Sequence, residues 1–205
     1  MKERELSRRE RKKRETRQRL MAQALHLFTN QGYDETTVEE ITDAADVAKG
    51  TFFNYFSTKE AILPAMVEWR LKELEEALSP EADVPASPVA RIKLALHLAI
   101  DDPAVDPSLA RAIFAALGKR REERPRLGQT FDRILARQVR QAQAVGEIRD
   151  DLDPLYVAGT IRVLFFQQMM WWNCGYRPAP LSDMLDRMID LLLEGAAGEN
   201  WRRPA

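Results

Sequence analysis

Apolar residues recur with the period of an α-helix along nearly the whole chain, and almost no segment alternates as a β-strand would. In residues 20–28 they recur at i, i+4, i+7 and i+8, which is the spacing of one helix face. Gly32 follows, and a residue that adopts positive φ easily is typical of a helix end. Continued to the other end of the chain, this pattern predicts an all-α fold of about nine helices.

The composition is that of a soluble globular protein. Of the 205 residues, 45% are hydrophobic and 31% are charged, which excludes a wholly disordered or fibrous chain. The longest uncharged stretch, residues 163–176, is shorter than the roughly 20 residues that a membrane span needs. Residues 1–19 are too polar for a secretory signal, and the single Cys174 cannot form an internal disulfide. We therefore expect a cytoplasmic protein without a membrane segment.

Charge is distributed unevenly. The first 20 residues contain ten Lys or Arg and four Glu, although the net charge of the whole chain is −1. A basic segment on an otherwise acidic chain suggests attraction to a polyanion such as nucleic acid. A solvated terminus without a partner is equally compatible with the charge alone, so the role of this segment stays open.

Residues 37–56 have the spacing of two short helices joined by a tight turn. Thr37 and Glu40 form a capping-box pattern that predicts a helix start. Residues 38–45 then give about two turns, 46–48 a bend, and 49–55 about two turns more. With a longer helix before and after, this is the helix-turn-helix arrangement, in which the second helix enters the major groove of DNA.

The two sides of this motif differ in chemistry. The apolar residues Val38, Ile41, Ala45, Val47, Phe52 and Phe56 are predicted to pack inward against Leu27, Phe28 and Tyr33. Cations and hydroxyl groups suit phosphates, whereas amides and apolar groups suit base edges. Both kinds remain on or near the outer side: Lys49, Thr51, Phe53, Asn54 and Tyr55.

The rest of the chain divides at one composition break. Residues 57–60 form a second capping-box pattern that opens a helix running to about Leu78, and prolines cluster in residues 79–88, which favours a boundary. We expect a DNA-binding domain over residues 14–78 and a second helical domain over residues 88–198. The periodicity of the second domain predicts helices at about 88–101, 107–118, 125–145, 153–174 and 181–195.

Several of these blocks resemble the TetR family of bacterial transcriptional regulators. They are residues 20–28, Gly32-Tyr33, residues 36–41, residues 48–56 and residues 59–63, in the family's order. The resemblance implies an all-α fold with an amino-terminal helix-turn-helix DNA-binding domain followed by a helical ligand-binding and dimerisation domain. By position it implies that double-stranded DNA contacts Thr37, Val38, Glu39, Lys49, Gly50, Thr51, Phe53, Asn54, Tyr55 and Lys59, the last of these gripping a phosphate.

Four positions depart from the usual spelling of the family. Phe53 stands where tyrosine is common, so a phenolic phosphate contact is lost while stacking or methyl contact remains. Asn54 replaces a frequent histidine and could form a bidentate pair with adenine. Ala48 replaces a common serine, which removes a capping hydroxyl. Asp46 occupies a common glycine position, and Asp tolerates the left-handed conformation better than most residues.

The second domain carries a helix that is apolar on all sides, over residues 157–172. Such a helix is buried on more than one side. We expect it to face both its own domain and a partner subunit in a homodimer, as the resemblance also implies. Two recognition helices about 34 to 36 Å apart would then fit a palindromic operator. The last helix would contribute Leu181, Met184, Leu185, Met188, Ile189, Leu191, Leu192 and Leu193.

The resemblance also implies a pocket for an unidentified small-molecule effector. Aromatic and adaptable side chains with a few polar groups are typical of such pockets, although plain core or interface packing explains each residue, taken singly, better than a pocket does. The hypothesis is a repressor that an effector releases by favouring the state that does not bind DNA. The candidate ligand-binding residues are Phe114, Phe131, Phe165, Gln168, Met169 and Trp172, with Tyr176 nearby.

Other classes of function have less support in the sequence. His26 and His97 lie in no metal-ligand spacing, Cys174 has no evident base and reads as a small buried hydrophobic residue, and no glycine-rich phosphate loop occurs. We therefore expect no enzyme activity, catalytic residue, metal or cofactor. The alternative is a helical ligand-binding or adaptor protein that no longer binds DNA. It would be expected to have a neutralised third helix, but Lys49 and Asn54 still suit the duplex.

Overall fold

The computed structural model describes residues 7–79, 82, 84–100, 107–119, 123–176 and 180–194. Within these residues it has nine α-helices and no β-strand, which confirms the predicted all-α class. None of the described helices is long and apolar enough to cross a membrane. The helices are α1 (Arg8–Gln31), α2 (Val38–Ala44), α3 (Lys49–Phe53), α4 (Ile62–Ala77), α5 (Pro88–Ile100), α6 (Pro107–Lys119), α7 (Glu123–Ala144), α8 (Pro154–Asn173) and α9 (Leu181–Glu194), with a 3-10 turn at Lys59–Ala61 before α4.

The chain divides into two compact units. Unit 1 comprises Met1–Trp69 and Asp102–Arg124, and unit 2 comprises Arg70–Asp101 and Pro125–Ala205. Helix α6 therefore belongs to unit 1, although it falls within the predicted second domain of residues 88–198. The reason is its apolar side, because Leu109 and Ala116 are buried in the core of unit 1.

The core of unit 1 is the one that the helical periodicity predicts. Phe28, Ile41 and Phe52 are completely buried. Burying a side chain of this size stabilises the fold by roughly 1.5–3 kcal/mol. Val38, Val47 and Leu27 pack against this core and are partly buried. The inward side of the helix-turn-helix is thus confirmed.

Two turns in unit 1 depend on left-handed or positive-φ residues. Gly32 ends α1 with φ of 89°, and its N–H donates to the carbonyl of Phe28 at 3.0 Å. Asp46 lies in the turn between α2 and α3 with φ of 51°, the one positive φ among the described non-glycine residues. The expectation that Asp46 tolerates this conformation is therefore confirmed, and the tight turn is preserved.

Helix α1 starts earlier than the apolar periodicity indicates. It begins at Arg8, where Ser7 Oγ accepts from Glu10 N and Glu10 Oε2 accepts from Ser7 N. Leu20 is the first buried residue of this helix. Because residues 8–19 bury no apolar face, their helix gives no periodic signal in the sequence. We call residues 8–19 the arm.

The core of unit 2 is formed by α5, α7, α8 and α9 with the end of α4. Asp153 caps α8 by accepting from Leu155 N at 2.7 Å and Tyr156 N at 3.0 Å, with Pro154 at the first helical position, as the sequence predicts. Two side-chain contacts join α5 to α9: an ion pair between Lys93 Nζ and an oxygen of Asp190 at 2.6 Å, and a hydrogen bond between His97 Nε2 and Asp186 Oδ1 at 3.1 Å.

Candidate nucleic-acid interface

The start of α2 is fixed by the predicted capping box. Thr37 Oγ1 accepts from Glu40 N at 3.2 Å, and Glu40 Oε2 accepts from Thr37 N at 2.7 Å and from Thr37 Oγ1 at 2.9 Å. These bonds, first of all the one from the Thr37 backbone, hold the pKa of Glu40 below its ordinary value. The first turn of α2 is therefore held in one orientation at neutral pH.

Helix α3 is held by one buried aromatic ring. Phe52 is completely buried, with its ring centre 5.6 Å from that of Phe53 and 5.4 Å from that of Phe56. Because successive helix residues are rotated by about 100°, burying Phe52 leaves the neighbouring positions on the outside. Lys49, Gly50, Phe53 and Asn54 are all exposed, and we call these four residues the recognition face.

The other predicted DNA contacts flank this face. Thr37 and Glu39 are exposed at the start of α2, whereas Val38, Thr51 and Tyr55 are half-buried. A Cβ added at Gly50 would meet no atom of the chain within 4 Å. The backbone of α3 is thus open to close approach by a partner, which is one of the uses of glycine.

Lys49 forms an ion pair across the motif. Its Nζ lies 3.4 Å from a carboxylate oxygen of Glu39, and the two side chains are 54% and 67% exposed. Such exposed pairs contribute little to stability, typically about 0–1 kcal/mol. The single cation of the recognition face is therefore partly neutralised by its own chain.

Lys59 binds backbone carbonyls of its own chain. Its ammonium donates to the carbonyls of Tyr33 at 2.8 Å, Thr36 at 2.8 Å and Asp34 at 3.2 Å, and it lies 4.4 Å from the centre of the Tyr33 ring. A lysine has three N–H donors, so this geometry uses all of them. Lys59 is thus a clamp on the turn between α1 and α2, where three carbonyls converge, and its contact with a phosphate stays a prediction.

The second capping pattern is shifted by one residue from the predicted start. Thr58 is the cap, its Oγ1 accepts from Ala61 N at 3.3 Å, and a short 3-10 turn precedes α4.

Burial, and then Glu60 and Asp34, raise the pKa of the neighbouring Tyr33 to about 12. The Tyr33 ring packs edge-on to Phe28 with ring centres 5.0 Å apart. Its phenol thus remains protonated at neutral pH beside the Lys59 ammonium.

The predicted ligand-binding residues fall in both units. Phe131 and Phe165 are buried in unit 2 with ring centres 5.6 Å apart, and Met169 and Trp172 pack against the same core. Phe114 lies on α6, which belongs to unit 1. In addition to these, Gln168 is half-buried and Tyr176 is 72% exposed.

Unit 2 also has features that the sequence did not reveal. An open cleft is lined by Arg70, Glu73, Leu74, Ala77 and Leu98. Glu73 pairs with Arg70 at 3.2 Å. The one sign of this cleft in the sequence is that Arg70 and Glu73 interrupt the apolar pattern of α4.

Two further expectations about unit 2 need correction. Cys174 is exposed at the end of α8, because the helix ends there and leaves it outside the core. In α9 only Leu191 and Leu193 are exposed large apolar residues, so the predicted partner surface is smaller than the apolar content of this helix suggests. Leu192 packs against the core of its own unit, and five residues are buried in that core: Leu181, Met184, Leu185, Met188 and Ile189.

An apolar surface remains on α8. Tyr156, Val163 and Met170 are 74%, 58% and 52% exposed. Their spacing of seven residues places them on one side of the helix, which we call the α8 outer face. Exposed large apolar residues that share one side of a helix are a candidate interaction surface.

Comparison with known proteins identifies the fold and the motif. The family described as "Bacterial regulatory proteins, tetR family" matches residues 20–66, the region that contains the recognition face. The region that holds the helix-turn-helix is therefore a domain of the TetR family of transcriptional regulators. The chain is accordingly a DNA-binding regulator of transcription, as the sequence predicted.

The likeness to individual proteins ranges from the motif alone to nearly the whole chain. The transcriptional repressor KstR of Rhodococcus jostii is 27% identical over 195 residues, or 93% of this chain and 86% of KstR. TcmR of Streptomyces glaucescens is 50% identical over 54 residues, which are 26% of this chain and 24% of TcmR. Thermus thermophilus FadR, a TetR-family repressor solved with lauroyl-CoA, superposes with a TM-score of 0.65 and 25% identity over 92% of this chain and 99% of that chain.

Proposed function

We propose that this TetR-family regulator is a repressor that binds a palindromic operator as a homodimer in the cytoplasm and is released by a small-molecule effector. The observation that carries the proposal is the recognition face. Lys49, Phe53 and Asn54 are exposed together on a helix that Phe52 anchors. The adaptor alternative is less favoured, since a chain without DNA to read has no use for this exposed set.

Each residue of the recognition face has a role in this proposal. Asn54 pairs with an adenine edge, and the exposed ring of Phe53 contacts thymine methyl groups. Gly50 lets the DNA backbone approach α3, while Thr37, Val38 and Glu39 border the duplex at the start of α2. The half-buried Thr51 and Tyr55 donate their hydroxyls to phosphates.

The homodimer is proposed to form through unit 2. The α8 outer face, with Tyr156, Val163 and Met170, supplies an apolar centre, and the exposed Leu191 of α9 extends it. A two-fold axis through this face would repeat it in both subunits. The proposed domains are a DNA-binding domain over residues 14–78 and a ligand-binding and dimerisation domain over residues 88–198.

The effector is proposed to bind in the second domain, near the aromatic pair Phe131 and Phe165 and the half-buried Gln168, Met169 and Trp172. Phe114 is retained as a candidate of lower rank, since it lies in unit 1. A fatty acyl-CoA is the first class to test, because FadR of Thermus thermophilus was solved with lauroyl-CoA and is 25% identical to this chain. The apolar composition of the unit 2 core suits such an acyl chain.

The experiment is a mobility shift with DNA from immediately upstream of the protein's own gene and of the neighbouring gene. We expect saturable binding that Asn54→Ala weakens by about 10-fold or more, in line with about 1–3 kcal/mol per base pair read. Arg140→Gln, an exposed change on α7, serves as the matched control and should bind like the wild type. Binding that is equal for operator and random DNA, or unaffected by Asn54→Ala, would contradict the proposed DNA reading.

The same assay tests induction. Lauroyl-CoA is titrated into the complex, with free CoA and laurate as controls. Coupling of about 1–3 kcal/mol predicts that operator affinity falls by roughly 5- to 150-fold at saturation. Fluorescence of Trp171 and Trp172 on α8 reports binding independently of DNA. Lauroyl-CoA that binds without changing operator affinity would refute this effector while leaving the DNA-binding proposal intact.

A further inference from the structure

Positive and negative charges are segregated along unit 1. Residues 20–58 contain one Lys or Arg, which is Lys49, and six carboxylates. All six are exposed: Asp34, Glu35, Glu39, Glu40, Asp43 and Asp46. The helix-turn-helix is thus acidic, although DNA carries about one negative charge per 1.7 Å of its axis. By itself this segment would be repelled by a phosphate backbone.

The two lysines of the DNA-binding region are already engaged by the chain itself. Residues 20–69 contain only Lys49 and Lys59 as Lys or Arg. Lys49 pairs with Glu39 at 3.4 Å, and Lys59 uses its donors on three carbonyls. Lys59 therefore has no spare donor, and the weak, exposed pair of Lys49 offsets part of its charge, so these two lysines supply little of the electrostatic part of DNA affinity.

The arm carries the opposite charge. Residues 8–19 contain eight Lys or Arg and two Glu, and residues 7–15 are all exposed. At 1.5 Å per residue the arm is a helical projection of about 18 Å. Among the described residues, Arg8, Arg9, Lys12 and Lys13 take part in no ion pair, whereas Arg11 pairs with Glu15 at 3.7 Å.

One contact joins the arm to the recognition motif. The Arg17 guanidinium lies 5.6 Å from the ring centre of Phe56, and Phe56 packs on Phe52 of α3. Arg9 and Lys13 precede Arg17 by eight and four residues, so the three lie on one side of α1. A basic row of the arm therefore leads up to the helix-turn-helix.

We propose that the arm, and not the helix-turn-helix, supplies most of the phosphate contacts of this regulator, while the recognition face reads bases. The proposal rests on the proposed function of DNA binding. It assigns the arm as a DNA-binding surface whose partner is the phosphate backbone of any duplex. The acidic helix-turn-helix then opposes binding at sites where the base contacts are wrong, which is a repulsive element of specificity.

The chemistry of the arm favours DNA over a membrane. Residues 8–19 contain no apolar side chain, whereas helices that lie on membranes need an apolar face to bury among the lipids. Glu10 is the one carboxylate in the first turn of α1, beside Arg8, Arg9 and Arg11. Phosphates at this position would add to it in balancing the like charges and the positive end of the helix dipole.

The test uses the full-length protein and a random-sequence duplex, so that it does not depend on finding an operator. The arm variant carries Arg8→Gln, Arg9→Gln, Lys12→Gln and Lys13→Gln, since Gln keeps helix propensity. A control variant removes three positive charges at exposed positions of unit 2, by Arg133→Gln, Arg140→Gln and Arg187→Gln. Both variants are expected to fold, because no substituted side chain is buried. Circular dichroism and thermal unfolding check this.

The quantity measured is the slope of log binding constant against log salt, which changes by about 0.9 for each phosphate contact. We expect the arm variant to lose about two units of slope or more and the control variant to keep the wild-type slope. Glu39→Gln should tighten binding to random DNA, because it releases Lys49 from its ion pair. Lys59→Met should lower the unfolding temperature and leave the slope unchanged.

Other outcomes overturn the proposal. An arm variant with the wild-type slope would show that the helix-turn-helix carries the phosphate contacts, and a Lys59→Met slope reduced by about one unit would restore the phosphate role of Lys59. Loss of binding to phosphatidylserine vesicles without a change in the DNA slope would assign the arm to membranes instead. If no operator is found but the arm governs binding to random DNA, the repressor function fails while this proposal stands.

Discussion

At the scale of single residues, the empty space around Gly50 indicates a binding site. It occupies the second position of α3, is exposed, and would meet no atom of the chain if it carried a Cβ. Packing therefore does not require glycine here, and its helix propensity is poor. The remaining physical reason for a glycine is the close approach of a partner to the backbone.

Gly50→Ala is expected to stabilise the fold and to weaken operator binding. Alanine gains about 0.5–1 kcal/mol in a helix over glycine, while its methyl group occupies space that the duplex needs. Urea unfolding and operator titration on the same preparation measure both effects. Gly118→Ala, at an exposed and equally open position of α6, is the control for propensity alone. Operator affinity that is unchanged in Gly50→Ala would remove the close-approach explanation.

At the scale of elements, α2 depends on a carboxylate at its first turn. Bonds from Thr37 lower the pKa of Glu40 from its ordinary value of 4.5. A carboxylate with a lowered folded-state pKa contributes stability that is present above its unfolded pKa and is lost as the pH falls through the folded pKa. The capping box therefore weakens in acid and not in alkali.

Glu40→Gln provides the measurement, because Gln can occupy the same position of a capping box but does not titrate. At pH 7 the wild type is expected to be more stable than Glu40→Gln in urea unfolding. This difference should shrink as the pH is lowered through the range below 4.5. A difference that stays constant down to the acid unfolding of both proteins would show that the carboxylate contributes nothing through its charge.

The α8 outer face gives a second prediction for an element. Val163→Glu places a charge at the centre of the proposed dimer interface, once in each subunit, and burying an unpaired charge costs several kcal/mol. We expect the dimer dissociation constant to rise by about 100-fold or more. Val145→Glu is the matched control, since Val145 is 64% exposed beyond the end of α7. Sedimentation velocity of both variants decides; an intact Val163→Glu dimer places the interface elsewhere.

Elements also show what sequence reasoning can reach. Helix bounds such as those of α5, α8 and α9 came within about two residues, because apolar periodicity and caps such as Asp153 are local signals. The start of α1 at Arg8 was missed, because the arm buries nothing. The surface of α9 that is available to a partner was overestimated, since a sequence does not show which of its apolar residues are buried in the core of the same unit.

At the scale of the whole molecule, the sequence predicts the site of unit 1 better than that of unit 2. The recognition face was predictable because Phe52 and its apolar neighbours fix which side of α3 faces outward. The clamp of Lys59 was not, because it depends on three carbonyls that converge only after the turn has folded. The effector site is the least predictable from the sequence, because core packing and ligand binding call for the same aromatic residues, such as Phe131 and Phe165.

The central claim is that two copies of α3 read DNA together. Selection of bound duplexes from a random-sequence pool by the full-length protein tests it most directly. The account predicts a two-fold symmetric consensus whose half-sites lie about one helical turn apart, and it predicts that Asn54→Ala relaxes the preference at the same position of each half-site. An enriched sequence without two-fold symmetry, or one that Asn54→Ala leaves unaltered, would contradict it.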